Sequence, residues 1–186
     1  MTSPAHSAGF TLTELLIAMA IMAIITMSAV PMLTELRERL QARQDIARLQ
    51  LVIRSGREQA LLLKTRVTLC PSDNQQTCLN DWNKPLILFT DTNNSRQRDA
   101  DERLLQQLPE ADPDRVMRLF NNSVISFDAR GFAGLSTGSF SYCLKGQQRT
   151  GAAFIISRNG NIRAGQDSNQ DGLPETANGN NVLCPS

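Results

Sequence analysis

The chain has 186 residues, a net charge of +1, 5% aromatic residues and a single histidine. A balance so close to neutral excludes bulk charge as a recruiter of nucleic acid or acidic surfaces, so any electrostatic argument must come from local patterning. The length allows one apolar N-terminal block followed by about 150 residues, enough for one ordinary domain.

The block reads GFTLTELLIAMAIMAIITMSAVP and starts at Gly9. From Leu15 to Leu33 it carries no charge, close to the roughly 20 residues that span a bilayer's hydrocarbon. The exception stands at its head: Glu14. A charged side chain at a bilayer centre costs about 2.5 to 3.5 kcal/mol, so an ionisable residue there is a functional candidate by default. A cleavable secretory signal would want a basic n-region and small residues at the cut. Residues 1–9 contain neither Lys nor Arg, and Met27 sits where a small residue would precede a cut after Ala29.

A short polar leader ending in Gly9, then Phe10, Thr11, Leu12, Thr13, Glu14 and an apolar helix, closely resembles the class III signal of type IV pilins and type II secretion pseudopilins. The resemblance implies cleavage between Gly9 and Phe10 by a prepilin peptidase in the inner membrane, and methylation of the new amino terminus at Phe10. It makes Glu14 the fifth residue of the mature chain and an assembly residue, its carboxylate meeting the Phe10 amine of a neighbouring subunit. The physics agrees, because a buried carboxylate is tolerable only when paired.

Beyond Pro31, Leu33, Leu36, Leu40, Ala47, Leu51 and Ile53 recur near the helical period. One helix from Phe10 to about Lys64 is expected, on the order of 80 Å long at 1.5 Å per residue, kinked or locally melted at Pro31 and weakened at Gly56. Residues 10–33 are read as a transmembrane or filament-core segment and residues 34–66 as its amphipathic continuation. Eight basic and four acidic residues lie between Thr34 and Arg66, the pattern of a solvated face or of a helix that touches nucleic acid.

From Val67 the sequence turns to short strand-like runs, RVTLC, PLILFTD, SVISFDARG, FSYCLK and GAAFIISRNGNIRAG, separated by Gly, Asn and Pro. No internal repeat is visible. Residues 67–186 are therefore expected to form a single antiparallel sheet domain packed on the helix, an α+β architecture. The segments around TLCPSDNQQTC, SFDARGF and FIISRNGNIRAG resemble the FimT/FimU minor pilins and the GspH pseudopilins, which implies the type IV pilin fold.

The four cysteines, Cys70, Cys78, Cys143 and Cys184, all fall in the expected extracytoplasmic part, where an even number reads as disulfides. Three pairings are open from the residues, and the family resemblance implies Cys70 with Cys78 and Cys143 with Cys184. A four-cysteine zinc site would want paired ligands two to four residues apart, which this spacing lacks.

The only histidine, His6, precedes the expected cut, so the mature chain would lack the commonest general base and zinc ligand. No enzyme and no obligatory cofactor is expected. Two acidic loops are candidates for calcium: Asp91, Asn93, Ser95, Asp99 and Glu102, with Arg96 in place of the turn glycine, and the better matched Asp167, Asn169, Asp171 and Glu175 with Gly172. Asp and Asn equally favour such turns without a metal. Between Asp128 and Asp167 no acidic residue occurs, while Arg130, Lys145, Arg149, Arg158 and Arg163 do, a local cationic stretch suited to the phosphates of double-stranded DNA. Some FimT-type minor pilins, which this chain resembles, bind DNA through a Gly-Arg-x-Arg turn; here the stretch reads Gly160, Asn161, Ile162, Arg163, without the first arginine and with Arg158 able to supply the second guanidinium. The alternative is a hairpin with solvated arginines.

Together these features imply a minor pilin of a type IV pilus, inserted in the inner membrane by one span before assembly and then carried to the pilus, at its tip. Its partners would be other minor and major pilins. The same architecture fits an H-type minor pseudopilin of a type II secretion system.

Overall fold

The computed structural model describes residues 11–145, 151–171 and 173–182, without the side chains of residues 28–32 and 35. The expected cleavage pair Gly9 and Phe10, and Arg149, Gly172 and Cys184, lie outside the described residues. The chain divides into two compact units, Met1–Gln44 and Asp45–Ser186.

Helix α1 runs Leu12–Leu63. It is helical through position 31, where a kink or melt was expected, and it ends where Lys64 takes a left-handed φ of 55°, the usual way to terminate a helix. In the first unit every large apolar side chain from Leu12 to Met27 is 51–79% exposed. Among the described residues no helix is long and apolar enough to cross a membrane. The helix from Leu12 to Met27 covers only about 24 Å at 1.5 Å per residue, short of the roughly 30 Å hydrocarbon core. The span expected over residues 10–33 is thus not contained in the described side chains.

In the second unit the helix buries Leu49, Val52, Ile53, Gly56 and Ala60. The buried stripe differs from the expected one, since Leu51 is 67% exposed. The reason is close approach. A Cβ placed on Gly56 would lie 3.1 Å from Leu88 Cδ1 and 3.4 Å from the Phe127 ring, so a small residue sets the distance between helix and sheet. Gly56, expected to weaken the helix, is here a packing residue.

Eight strands follow: β1 Val67–Pro71, β2 Leu86–Thr90, β3 Leu104–Leu108, β4 Val116–Leu119, β5 Ile125–Phe127, β6 Gly138–Leu144, β7 Gly151–Ile156 and β8 Ile162–Ala164. They form two four-stranded antiparallel sheets, ordered β3-β2-β1-β5 and β4-β6-β7-β8, where one sheet was expected. Strands β3 and β4, LLQQL and VMRL, have Val116 as their one β-branched residue and so carry little strand propensity to mark them. β1 and β2 are buried along their whole length, so they read as continuous apolar runs instead of alternating ones.

The helix reaches both sheets. Ser55 Oγ accepts a hydrogen bond from Gln106 Nε2 on β3 (3.1 Å), and Tyr142 on β6 donates to Asp45 (3.4 Å). Trp82 packs edge-on against Phe120 and Phe140 at 5.4 and 5.3 Å between ring centroids and donates its indole N–H to Asn122 O at 2.8 Å. Arg118 on β4 is 4% exposed, and burial lowers its pKa, opposed by the nearby Asp45 and Tyr142.

Gly56→Leu should overpack this junction, at a cost of about 1–3 kcal/mol. At about 2–4 °C per kcal/mol for a chain of this size, thermal unfolding should shift down by several degrees, while Leu51→Ala on the exposed face should leave the midpoint near its starting value.

Candidate functional site

The N-terminal site is a reciprocal cap. Thr11 N–H and Thr11 Oγ1 both donate to Glu14 Oε2, at 3.1 and 2.9 Å, and Glu14 N–H donates to Thr11 Oγ1 at 3.3 Å. Thr-x-x-Glu ahead of an apolar run is a capping box that satisfies donors left over at a helix start. The spacing from Thr11 to Glu14 is its sequence signal. Glu14 therefore holds its own helix terminus in the isolated chain, with its charge near the positive end of the helix dipole.

Cys70 and Cys78 are joined, with Cα atoms 5.5 Å apart. Cys143 is disulfide-bonded as well, while its expected partner Cys184 lies outside the described residues. The Cys70–Cys78 loop is braced from the β2–β3 connection: Arg98 N–H donates to Gln76 O (2.8 Å) and Arg98 Nε to Gln75 O (2.7 Å).

The cationic candidates divide. β6 and β7 pair from Gly138 with Ile156 to Cys143 with Gly151. Lys145 lies beyond the second end of that ladder and Arg158 beyond the first, separated by roughly 17 Å of strand at 3.3 Å per residue. Lys145 Nζ also donates to Pro113 O. The structure does not bring Lys145 to the arginines, and Arg130 is paired with Asp128 at 3.0 Å. Arg158 and Arg163 are both exposed and share the β7–β8 hairpin.

That hairpin is fixed by its glycine. Gly160 has φ +75°, its N–H donates to Ser157 O (2.9 Å), and a Cβ there would lie 1.9 Å from Gly131 O. The same Gly131 carbonyl accepts Arg57 Nε from the helix at 3.2 Å, and Arg158 O accepts Ala133 N–H at 3.1 Å. A depression of about 260 Å³ lies beside the turn, with Arg54, Arg57 and Glu58 on one wall and Gly160, Asn161 and Ile162 on the other. Arg54 and Arg57 belong to the basic run of residues 34–66, expected to be a solvated helix face or a helix that touches nucleic acid.

The acidic loops turn their oxygens on themselves. Glu175, 8% exposed, accepts Ser168 N–H at 2.9 Å and Asn169 N–H at 3.1 Å. The Ser168 backbone bond, opposed by burial, holds its pKa below the ordinary glutamate value. Asp167 Oδ1 and Asn169 Oδ1 both accept Asp171 N–H at 3.1 Å. In the other loop Glu102 takes Thr92 N–H (2.6 Å) and Asp99 N–H (3.1 Å), and Asp91 is fully buried with Thr68 Oγ1 donating to it at 2.8 Å. Among the described residues no group of three or more His, Cys, Asp or Glu is placed to hold a metal ion. Side chain to backbone bonds account for both acidic patterns.

A family model described as Type II transport protein GspH matches residues 45–160, and one described as Prokaryotic N-terminal methylation motif matches residues 4–30. No match was found among curated proteins. Crystal structures of the Pseudomonas aeruginosa PAO1 type IV minor pilin FimU, in two crystal forms, are similar to this chain. The first is 19% identical with a TM-score of 0.55 and covers 70% of this chain and 92% of its own. The second is 17% identical with a TM-score of 0.53, covering 68% and 94%. With the GspH match over more than half of its length, the N-terminal methylation motif ahead of it and the fold of FimU, the chain belongs to the GspH family of type IV pilin-like proteins.

Proposed function

We propose that this protein is a non-enzymatic minor pilin of a type IV pilus, cleaved after Gly9, methylated at Phe10, held in the inner membrane by residues 10–33 and then packed into the filament. The observation that carries this reading is the exposed apolar helix. Burying one Leu, Ile or Met side chain is worth about 1.5–3 kcal/mol, so the row from Leu12 to Met27 represents tens of kcal/mol that water withholds and that lipid or a bundle of neighbouring helices supplies. The methylation motif over residues 4–30 supports the same fate, since a leader cut and a helix bundle go together in this architecture. The head then sits at the filament end, where it primes or caps assembly.

The reading makes the Thr11–Glu14 cap a temporary state. In the filament Glu14 meets the Phe10 amine of an adjacent subunit, which needs its charge and not only its hydrogen bonds. The match to the GspH model favours a second setting for the same chemistry, an H-type minor pseudopilin in the short periplasmic filament of a type II secretion system. Deleting the chain separates the two, with loss of pili in the first and loss of exoprotein secretion in the second.

The exposed Arg158 and Arg163, on the hairpin whose Gly160–Ile162 turn borders Arg54 and Arg57, support an added role in which the head holds double-stranded DNA through its phosphates. Such contacts are independent of sequence and weaken steeply with salt. Full-length protein should bind a short duplex at low salt and lose it on charge reversal at Arg158 and Arg163, with pili still assembled; a reversed protein that binds as before refutes the DNA role.

For assembly, Glu14→Gln is the decisive variant, because glutamine preserves a capping box and removes the charge. Recovery of the subunit in sheared filaments should fall at least tenfold for both Glu14→Gln and Glu14→Ala while leader cleavage continues. Normal recovery of Glu14→Gln would reduce Glu14 to a helix cap.

A further inference from the structure

Away from the hairpin, a second concavity of about 230 Å³ opens where the β2–β3 connection faces the β5–β6 loop. Its lining combines Arg66 and Arg96 with Phe132 and Leu135. We propose that it docks an acidic segment of another polypeptide chain, one that places a carboxylate beside an aliphatic side chain.

The charge of the site is one-sided. Asp128 is the one carboxylate in the lining, and it is occupied: its Oδ1 accepts Arg130 N–H at 2.9 Å and Phe132 N–H at 3.0 Å, and its Oδ2 pairs with the Arg130 guanidinium. Arg66 and Arg96 make no ion pair within 4.0 Å among the described residues. Two guanidinium forks with no internal carboxylate suit an incoming one, which each fork binds through two parallel hydrogen bonds. The loop also holds Arg96 at φ +59° and Asn94 at φ +58°, a left-handed backbone that an arginine rarely adopts, and this sets Arg96 at the rim.

The apolar wall selects a polypeptide over a phosphate chain. Leu135 is 85% exposed and Phe132 42%, and Arg130 covers the Phe132 ring at 5.2 Å. A phosphate backbone leaves Leu135 in water, whereas an aliphatic side chain next to the carboxylate covers it. Aromatic residues and arginine are also the types enriched in protein interfaces. The volume fits one or two side chains and lies below the roughly 300–1,000 Å³ of sites for drug-sized ligands.

The test uses the full-length protein in detergent and fluorescence anisotropy with the labelled peptide Gly-Asp-Leu-Glu-Gly. Binding should weaken at least tenfold in Arg96→Gln and in Leu135→Ser, in the amide peptide Gly-Asn-Leu-Gln-Gly and in the leucine-free Gly-Asp-Gly-Glu-Gly, and should be unchanged in Lys145→Gln. Unfolding midpoints matching the parent would show that both site variants are folded. No binding, equal binding of the amide peptide, or insensitivity to both variants overturns the proposal. So does competition by a short DNA duplex that Arg96→Gln relieves, which would make the site a phosphate site, or self-association that Leu135→Ser abolishes, which would make the occupant a second copy. None of these results bears on recovery in filaments, so the docking site and the assembly reading fail independently.

Discussion

Water cannot solvate the face that runs from Leu12 to Met27. Ten large apolar side chains there are more than half exposed, and an exposed apolar surface of that extent marks an interaction site. The constraint governs the rest of the chain. It demands an environment of lipid or other helices, it makes any charge inside that environment costly, and it leaves Glu14 tolerable only when its carboxylate is neutralised by a partner. In the chain by itself Thr11 only hydrogen-bonds that carboxylate, through a reciprocal cap that leaves its charge uncancelled. In a filament the partner would be a neighbour's amine, so one carboxylate serves two states and its competing hydrogen bonds set the balance between them.

The head depends on the second half of the same helix. Gly56 lets it settle on Leu88 of β2 and Phe127 of β5, and Arg57 reaches the Gly131 carbonyl that also excludes a side chain at Gly160. The β7–β8 hairpin, with Arg158 and Arg163, is thus held by the helix, the β5–β6 loop and its own turn at once. A binding surface built on such a support costs little ordering entropy when a ligand arrives. The β5–β6 loop is shared by the hairpin junction and by the concavity at Phe132 and Leu135, on either side of Ala133, which places both candidate surfaces on one stretch of chain.

The elements whose sequence signal is local were legible. The N-terminal methylation motif matches over residues 4–30, the apolar run opens a long helix, and the runs that became β1, β2, β5, β6, β7 and β8 are bounded by Gly, Asn and Pro. What was lost depends on tertiary contacts. Gly56 looked like a helix weakener because nothing local shows that Leu88 and Phe127 press against it. Leu51 looked like a core residue for the complementary reason. Strands β3 and β4 carry glutamine, arginine and methionine at positions that only pairing with β2 and β6 makes extended, so their periodicity is silent. The same applies to the charges: one run without acidic residues from Arg130 to Arg163 suggested one patch, and the β6–β7 register sends Lys145 to the opposite end from Arg158. The capping box is carried by two residues three positions apart, Thr11 and Glu14, and an apolar run after a glutamate marks a membrane charge and a helix cap equally well.

The account stands or falls on the processing and destination of the helix, and mass spectrometry of filaments sheared from cells that express this chain reads both at once. The account predicts an N-terminal peptide that begins at Phe10 and carries one added methyl group, recovered from the filament fraction. A chain that keeps residues 1–9, or one that is cut but stays wholly with the membrane while filaments form normally without it, would contradict it.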